Sequence, residues 1–189
     1  MKSDDANNLS GHLLIAMPSM QDPNFARTVT YICEHSDQGT LGLVINRPLD
    51  INLGTVFTQL ELSDCDEEIS SRPVLHGGPV HMERGFVIHD AENSWENTTE
   101  TSDSIQVTTS RDILIAMADG HGPKHATVVL GYAGWSAGQL EHEILANAWL
   151  NAPANAQIIF DTPFEERWLS AAQLLGIDLS TISSETGHA

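Results

Sequence analysis

The chain is poor in positive charge. It contains 8 Lys and Arg residues against 26 Asp and Glu residues, which gives a formal net charge of -18 at pH 7. Its cations stand singly in the sequence, with no basic run: Lys2, Arg27, Arg47, Arg72, Arg84, Arg111, Lys124 and Arg167. Nucleic-acid affinity rests largely on Lys and Arg that neutralise phosphates. We therefore expect no direct binding to nucleic acid and, for the same reason, no binding to anionic membranes.

Cysteine and long apolar runs are also scarce. Cys33 and Cys65 have no metal-ligand or redox spacing, and Cys33 stands in an apolar run typical of a small buried side chain. No apolar stretch approaches the length needed to cross a bilayer. Residues 1–10 are polar and lack the basic start and apolar core of a signal peptide. These features predict a cytoplasmic protein with a flexible tail over residues 1–10 and a single domain over residues 11–189.

The pattern of apolar residues predicts a mixture of strands and helices. The predicted strands cover residues 11–18, 28–34, 41–46, 73–75, 85–89, 104–108, 126–132 and 157–160. The predicted helices cover residues 53–60, 109–119, 137–150 and 163–175. Residues 90–103 are polar and predict a long surface loop. Because hairpins dominate early and helices alternate with strands late, we expect an α+β fold.

A glycine-rich loop, His76-Gly77-Gly78-Pro79-Val80, lies between two predicted strands. Paired glycines allow a backbone to approach a ligand closely, or expose N–H groups to an anion. The loop has no Lys or Ser in the order of a phosphate-binding loop, and it opens no helix. We therefore favour the alternative that the glycines serve the turn itself.

Ser136 stands in the spacing Gly-x-Ser-x-Gly between a predicted strand and a predicted helix, which is the context of a hydrolase nucleophile. A triad would need Asp161 and His188, and the penultimate residue of the chain is a poor position for an oriented base. Ser136 and Gln139 also have the spacing of a capping box. We favour the helix cap and expect no catalytic residue here.

Histidines form no convincing metal site. The closest pairs are His76 with His81 and His121 with His125, and Gly122-Pro123 breaks any helix that would place the second pair on one face. No HExxH or CxxC motif is present. We expect neither a metal nor another cofactor.

The scarce arginines have two possible roles. Arg27, Arg47 and Arg84 stand beside predicted strands, where each could pair with a carboxylate and pin two segments, with Glu141 as one candidate partner. They could instead line a pocket for a small anionic ligand. Trp95 stands in the polar 90–103 segment and is predicted to be an exposed aromatic of the kind that anchors protein interfaces.

Long phrases of the sequence resemble the bacterial YqgE/AlgH family. They include LLIAMPSMQDPNFARTVTYICEH, GLVINRP, GGPV, RGFVIH, DILIAMADGHGP, LGYAGWSAGQLEHEI and FDTPFEERW, and the match runs over residues 11–189. The resemblance implies an α+β domain whose branched, largely antiparallel sheet curls into a pseudo-barrel with flanking helices. It implies no activity, because the family is largely uncharacterised. Some members are labelled transcriptional regulators, and the family's gene often neighbours that of a Holliday-junction-resolvase-like nuclease.

Two functional hypotheses follow. The first is a non-enzymatic regulatory module that acts through a protein partner, with that nuclease as one candidate. The second is a small-ligand binder or hydrolase-like enzyme with a pocket near the glycine loop, Arg27, Arg47 and Glu141. The candidate residues are those in the most distinctive phrases, together with His76: Arg27, Asn46, Arg47, His76, Gly77, Gly78, Pro79, Arg84, Trp135, Gln139 and Glu141. The oligomeric state stays open.

Overall fold

The computed structural model describes residues 7–62, 66–102 and 104–185, with side chains described as far as residue 182. The strands are β1 (His12–Ala16), β2 (Val29–Ser36), β3 (Gly39–Val44), β4 (Pro48–Asn52), β5 (Pro73–His76), β6 (Val80–Asp90), β7 (Thr98–Glu100), β8 (Ile105–Thr108), β9 (Ala126–Ser136) and β10 (Trp149–Pro153). The helices are α1 (Leu53–Gln59), α2 (Glu67–Ser70), α3 (Arg111–Ala118), α4 (Gln139–Leu145), α5 (Ala156–Phe160), α6 (Arg167–Gln173) and α7 (Leu179–Glu185). A 3-10 turn, Phe164–Glu166, precedes α6.

The strands form one branched, 10-stranded sheet. Its main path runs β10-β1-β2-β3-β9-β6-β8-β7, and every pair on this path is antiparallel. The branch arises at β9, which pairs with β3 near its end and with β5, in parallel, around Val129 and Leu130. The sheet curls into a half-barrel with helices around it, so the predicted α+β class and branched sheet are confirmed.

Apolar side chains of the curled sheet fill three clusters. The main cluster lies between the sheet and α6, and includes Tyr31, Ile88 and Trp168. A second cluster packs α1 and α3 against the other face of the sheet, where Val87 and Val128 are buried. A third surrounds Trp135, Trp149 and Leu140 near α4. Cys33 is buried as predicted, and burial raises the pKa of its thiol, whereas Cys65 lies outside the described residues.

The predicted strand over residues 157–160 is wrong, because this segment forms α5. The Asn155 side chain accepts a hydrogen bond from the Ile158 N–H at 3.2 Å, which caps a helix and outweighs the β-propensity of two isoleucines and a phenylalanine. The predicted helix over residues 137–150 is too long. It ends at Leu145, Asn147 takes a left-handed φ of 62°, and Trp149 opens β10, which pairs with β1.

Two predictions for the polar segments also need correction. Residues 90–103 are not one loop, because β7 forms there and pairs with β8. Trp95 is half-buried against the second cluster, and its indole N–H is buried with no described partner, so it is not an exposed anchor. In the predicted tail, residues 1–6 lie outside the described range, while Ser10 Oγ accepts a hydrogen bond from the His35 N–H at 3.1 Å and so contacts the domain.

Candidate functional site

The glycine-rich loop packs against the backbone of β9. The Gly77 N–H donates to the Leu130 carbonyl, and the Gly77 carbonyl accepts from the Val44 N–H, both at 2.8 Å. A Cβ on Gly77 would lie 2.3 Å from the Gly131 carbonyl oxygen, and a Cβ on Gly78 would lie 2.3 Å from the Tyr132 carbonyl carbon. The glycines therefore admit a neighbouring strand and not a ligand, in line with the structural role favoured from the sequence.

Asn46 and Arg47 fasten the loop at residues 22–27 onto the sheet. Asn46 donates to the Arg27 carbonyl at 2.9 Å, and Arg47 donates to the carbonyls of Asn24 and Ala26 at 2.8 and 3.0 Å. Burial lowers the pKa of Arg47, and the nearby Asp22 carboxylate partly opposes this shift. Arg47 thus satisfies backbone carbonyls of this loop, and Asn46 links the loop to β2, because its Oδ1 also accepts from the Val29 N–H at 3.0 Å.

Aromatic rings, and not carboxylates, face the other two arginines singled out from the sequence. The Arg27 guanidinium lies 5.1 Å from the Trp168 ring centroid. Arg84 lies 5.3 Å from the Phe86 ring centroid and 5.7 Å from that of Tyr132. Among the described residues, the ion pairs join histidines to carboxylates, so the expected arginine–carboxylate pairs are not found there.

Glu141 takes His35 as its partner. The Leu9 N–H donates to His35 Nδ1, so the proton of the neutral ring is on Nε2, which lies 2.5 Å from Glu141 Oε1. The backbone N–H of Glu141 and then His35 hold the pKa of this carboxyl below its usual range. Glu141 is therefore engaged at the start of α4, and the structure does not bring it together with Arg27 or Arg47.

Ser136 does not cap α4, because the N-cap is Gly138. Gln139 Oε1 accepts from the Ser136 N–H at 3.0 Å and from its hydroxyl at 3.2 Å, so the serine donates to an amide and not to a base. Trp135, 5% exposed, packs against Trp149 with ring centroids 5.9 Å apart. Ser136, Gln139 and Trp135 thus have structural contacts at the junction of β9 and α4. His188, the third residue that a triad would need, lies outside the described range.

Three of the concave regions that the described residues form are candidate sites. One, of about 400 Å³, is lined by Arg27 and Asn46 with Phe164 and Trp168, and its lining includes neither Arg47, Glu141 nor the glycine loop. The second is an apolar groove of about 440 Å³, lined mainly by Val56, Leu60, Met82, Phe86, Leu114 and Leu130. The third, of about 300 Å³, is lined by Arg72, Lys124, His125 and Arg167, with Phe160 and Phe164.

Sequence reasoning missed both the groove and the third region, which we call the cationic cavity. The groove combines residues of α1, β6, α3 and β9. In the cationic cavity, Arg72 and Lys124 are more than fifty residues apart in the chain, and no local motif joins them. The only signal in the sequence was that cations are scarce. Because they stand singly along the chain, the sequence suggested that they form no cluster in the folded protein. The structure corrects that expectation.

The comparisons with known proteins agree with this architecture. A family model described as AlgH-like matches residues 13–180. The chain belongs to the AlgH-like family. The predicted family resemblance is thereby confirmed.

The family includes close relatives of almost the same length. A UPF0301 protein of Nitrosococcus oceani is 51% identical over 178 residues, covering 94% of this chain and 95% of the relative. The solution structure of the AlgH protein from Pseudomonas aeruginosa matches with a TM-score of 0.80 at 47% identity and covers all of both chains. A crystal structure of a Corynebacterium diphtheriae protein, 23% identical, has the same fold, with a TM-score of 0.72 over 93% of this chain and 91% of that one.

Metal-binding side chains are scattered over the fold. Within the described ranges, no three His, Cys, Asp or Glu residues are grouped so that they could hold a metal ion. The helices are short, and none of those in the part of the chain that the structure describes is long and apolar enough to cross a membrane.

Proposed function

We propose that the protein is a non-enzymatic, cytoplasmic regulatory module that acts on transcription or nucleic-acid metabolism through a protein partner. The observation that supports this most is the apolar groove. Its apolar lining consists of side chains of α1, β6, α3 and β9, and Met82 on its rim is 39% exposed. Apolar surface of this kind in a concave site is characteristic of protein recognition, and a flexible Met side chain adapts to an incoming group.

One end of the groove is held in place by a polar contact. Arg111 at the start of α3 donates through Nη2 to the Leu60 carbonyl at the end of α1, at 2.5 Å. This bond joins the first residue of α3 to the residue that follows α1, and both helices line the groove. The groove is therefore largely preformed, which lowers the entropic cost of binding a partner segment.

The charge of the protein indicates the chemistry of the partner. The net charge is -18, and carboxylates stand at the groove itself, with Glu83 on its lining and the exposed Glu61 next to Leu60. Such a field attracts a basic segment and speeds its association. We infer that the occupant is a basic protein segment that inserts one apolar side chain. A Holliday-junction-resolvase-like nuclease is the candidate that the family's gene context suggests.

The alternative, a small-ligand or hydrolase-like pocket near the glycine loop, has less support. Its proposed side chains are each engaged in a different contact: Arg27 with Trp168, Arg47 with two carbonyls, and Glu141 with His35. The backbone of the glycine loop is bonded to β9 and β3.

Capture experiments with matched variants test the interaction module. Met82→Glu places a charge in the groove, whereas Leu145→Glu makes the same change at a side chain that is 83% exposed and does not line the groove. We expect basic proteins to be retained from a bacterial lysate by the wild type and by Leu145→Glu, but lost from Met82→Glu. Retention should weaken as salt rises from low to moderate concentration.

A titration of the purified captured protein against the three chains then measures the loss directly. Equal affinity for both variants, or a chain that retains no basic protein at low salt, would remove the support for this function. Light scattering over a range of concentrations identifies the case in which a second copy of the chain occupies the groove, which would also contradict a basic partner.

A further inference from the structure

The cationic cavity is lined by several of the few positively charged side chains of the molecule. Three of the eight Lys and Arg residues, Arg72, Lys124 and Arg167, line one cavity of about 300 Å³. An adjoining hollow of about 200 Å³ shares Arg72 and Lys124 with it.

Two of these cations have no hydrogen-bond or ion-pair partner among the residues that the structure describes. Across the described ranges, neither the Arg72 guanidinium nor the Lys124 ammonium makes a hydrogen bond or ion pair. Carboxylates are more than three times as numerous as cations in this chain, with 26 against 8, so partners were available in abundance. Two adjacent positive side chains that no carboxylate neutralises present an attractive field to an external anion.

Arg167 forms the inner wall of the cavity and is held rigidly. It is 3% exposed, and its Nε and Nη1 donate to the carbonyls of Thr162 and Ile45 at 2.8 and 2.6 Å. Its guanidinium lies 4.5 Å from the centroid of the Phe164 ring. No acceptor among the described residues bonds Nη2. Burial lowers the pKa of this arginine to about 10, and the nearby Asp161 carboxylate only partly opposes the shift.

The remaining charges around the cavity are accounted for. His125 Nδ1 lies 3.5 Å from Asp90 Oδ2, which also accepts from the His125 N–H at 2.8 Å, so the Asp90 carboxylate is directed at His125. Asp161 is the carboxylate that acts on Arg167. Neither contacts Arg72 or Lys124. The lining of the cavity and of the adjoining hollow contains Arg72, Lys124 and Arg167 but no Asp or Glu, so the lining carries positive charge.

Aromatic rings provide the rest of the wall. The Phe160 ring packs against the His125 ring with centroids 5.6 Å apart, and Phe164 lies beside Arg167. Flat rings of this kind stack on planar ligand groups, while Arg recognises phosphate through paired N–H bonds and Lys acts on it as a point charge. The two hollows together fall in the range of small-ligand sites, roughly 300–1,000 Å³.

We propose that this cavity binds a small phosphate monoester that carries a planar ring, with the size and chemistry of a nucleoside monophosphate. Arg72 and Lys124 bind the phosphate, and the Phe160 and Phe164 walls pack against the ring. This site is separate from the apolar groove, and the two share no lining residue. It binds a free small molecule, so the proposal is independent of whether the groove binds a protein.

Calorimetric titration with adenosine monophosphate tests the proposal. The variants Arg72→Gln and Lys124→Gln each remove a charge whose side chain has no described partner, so both should remain folded, which circular dichroism and thermal melting verify. Arg84→Gln is the matched control, since Arg84 is exposed and does not line the cavity. We expect each cavity variant to weaken binding about tenfold, the loss of one charge-assisted contact, and the control to leave it within about twofold.

Titrations with inorganic phosphate and with adenosine test the contributions of the phosphate and of the ring separately. The proposal expects phosphate to compete with adenosine monophosphate, and adenosine alone to bind much more weakly with no dependence on Arg72 or Lys124. It is overturned if folded wild-type protein shows no binding at millimolar nucleotide. It is equally overturned if the three variants bind alike, or if adenosine binds as tightly as its monophosphate.

Discussion

Two arginines in the same local sequence have opposite surroundings. Arg47-Pro48 leads into β4 and Arg72-Pro73 leads into β5, and these two strands pair with each other. Arg47 donates to two carbonyls of the 22–27 loop, while Arg72 has no described side-chain partner and faces a cavity. One end of this strand pair is therefore closed by the protein's own polar groups, and the other is left open.

The difference teaches which residues are available for function. Gly77, Asn46, Arg47 and Glu141 stand in distinctive phrases of the sequence, and each already has a hydrogen-bond partner within the chain. Of the cations that line the cavity, Arg167 stands in the phrase FDTPFEERW, whereas Arg72 and Lys124 stand outside the distinctive phrases. Chemistry that another part of the protein satisfies stabilises the fold, whereas chemistry left unsatisfied in a concave site is free to act on a ligand.

The largest expected loss of stability concerns the glycine loop, where the chain packs closely against β9. Gly78 has a φ of 153°, and a Cβ there would meet the Tyr132 backbone, whereas Gly138 has a φ of 75°, and a Cβ there would meet nothing within 4 Å. We expect Gly78→Ala to lower the free energy of unfolding by about 3–5 kcal/mol, and Gly138→Ala by about 1–2 kcal/mol from backbone strain alone. Urea denaturation measures both. Equal losses would mean that the close approach to β9 is not needed.

We expect a smaller loss of stability at Arg167. This residue belongs to both groups of the comparison, because it donates to two carbonyls and also lines the cavity. Arg167→Met keeps much of the packing but leaves the buried Ile45 and the Thr162 carbonyls without their donor. We expect a loss of about 2–4 kcal/mol in the free energy of unfolding. Chemical denaturation checks it. A neutral result would contradict the structural role that we assign to these two hydrogen bonds.

The pair Arg47→Gln and Arg72→Gln tests the comparison directly. Arg47→Gln removes two bonds to carbonyls of a partly exposed loop, and we expect a loss of about 1–2 kcal/mol. Arg72→Gln removes no described contact, and we expect a change within about 0.5 kcal/mol. Thermal and urea unfolding of both variants provide the measurement. The comparison fails if Arg72→Gln is the more destabilising of the two.

The smallest effect concerns pH and an enclosed histidine. His89 on β6 is buried, its ring bonds the Asp90 carbonyl and the Thr108 hydroxyl at 2.6 and 2.7 Å, and burial lowers its pKa. The unfolded chain then binds a proton more readily than the folded one, so the free energy of unfolding should fall as pH drops below the ordinary value of 6.5. His89→Gln should flatten this part of the pH profile. An unchanged profile between pH 8 and about 5 would contradict an uncharged His89.

Local patterns predicted those elements in which propensity and burial agree. The hairpin of β2 and β3, the buried strand β9 and the helix α3 each match a run of strongly periodic residues with a turn or cap beside it. The predictions failed where a single contact decided the outcome. The apolar run at residues 156–160 forms α5 because the Asn155 side chain caps it. Trp149 lies in β10 and not in the predicted helix because this segment pairs with β1.

The candidate residues show the same limit. The family followed from the sequence, and so did the structural role of the glycine loop, whereas the functional importance of the candidate residues stays a prediction. The partners of these residues did not follow from the sequence, because Arg27 meets Trp168 and Glu141 meets His35 across more than one hundred residues of chain. Trp95 is the clearest case, since its polar neighbours suggested exposure while long-range packing half-buried it.

The sequence by itself determined the acidic composition, the mixed class of the fold and the family, because composition and periodicity are properties of the chain and of short segments. Only the tertiary structure decided which of the few cations donate hydrogen bonds to the protein's own carbonyls and which line an open cavity. That outcome depends on distances between residues far apart in the chain, and electrostatic and hydrogen-bond energies are set by those distances.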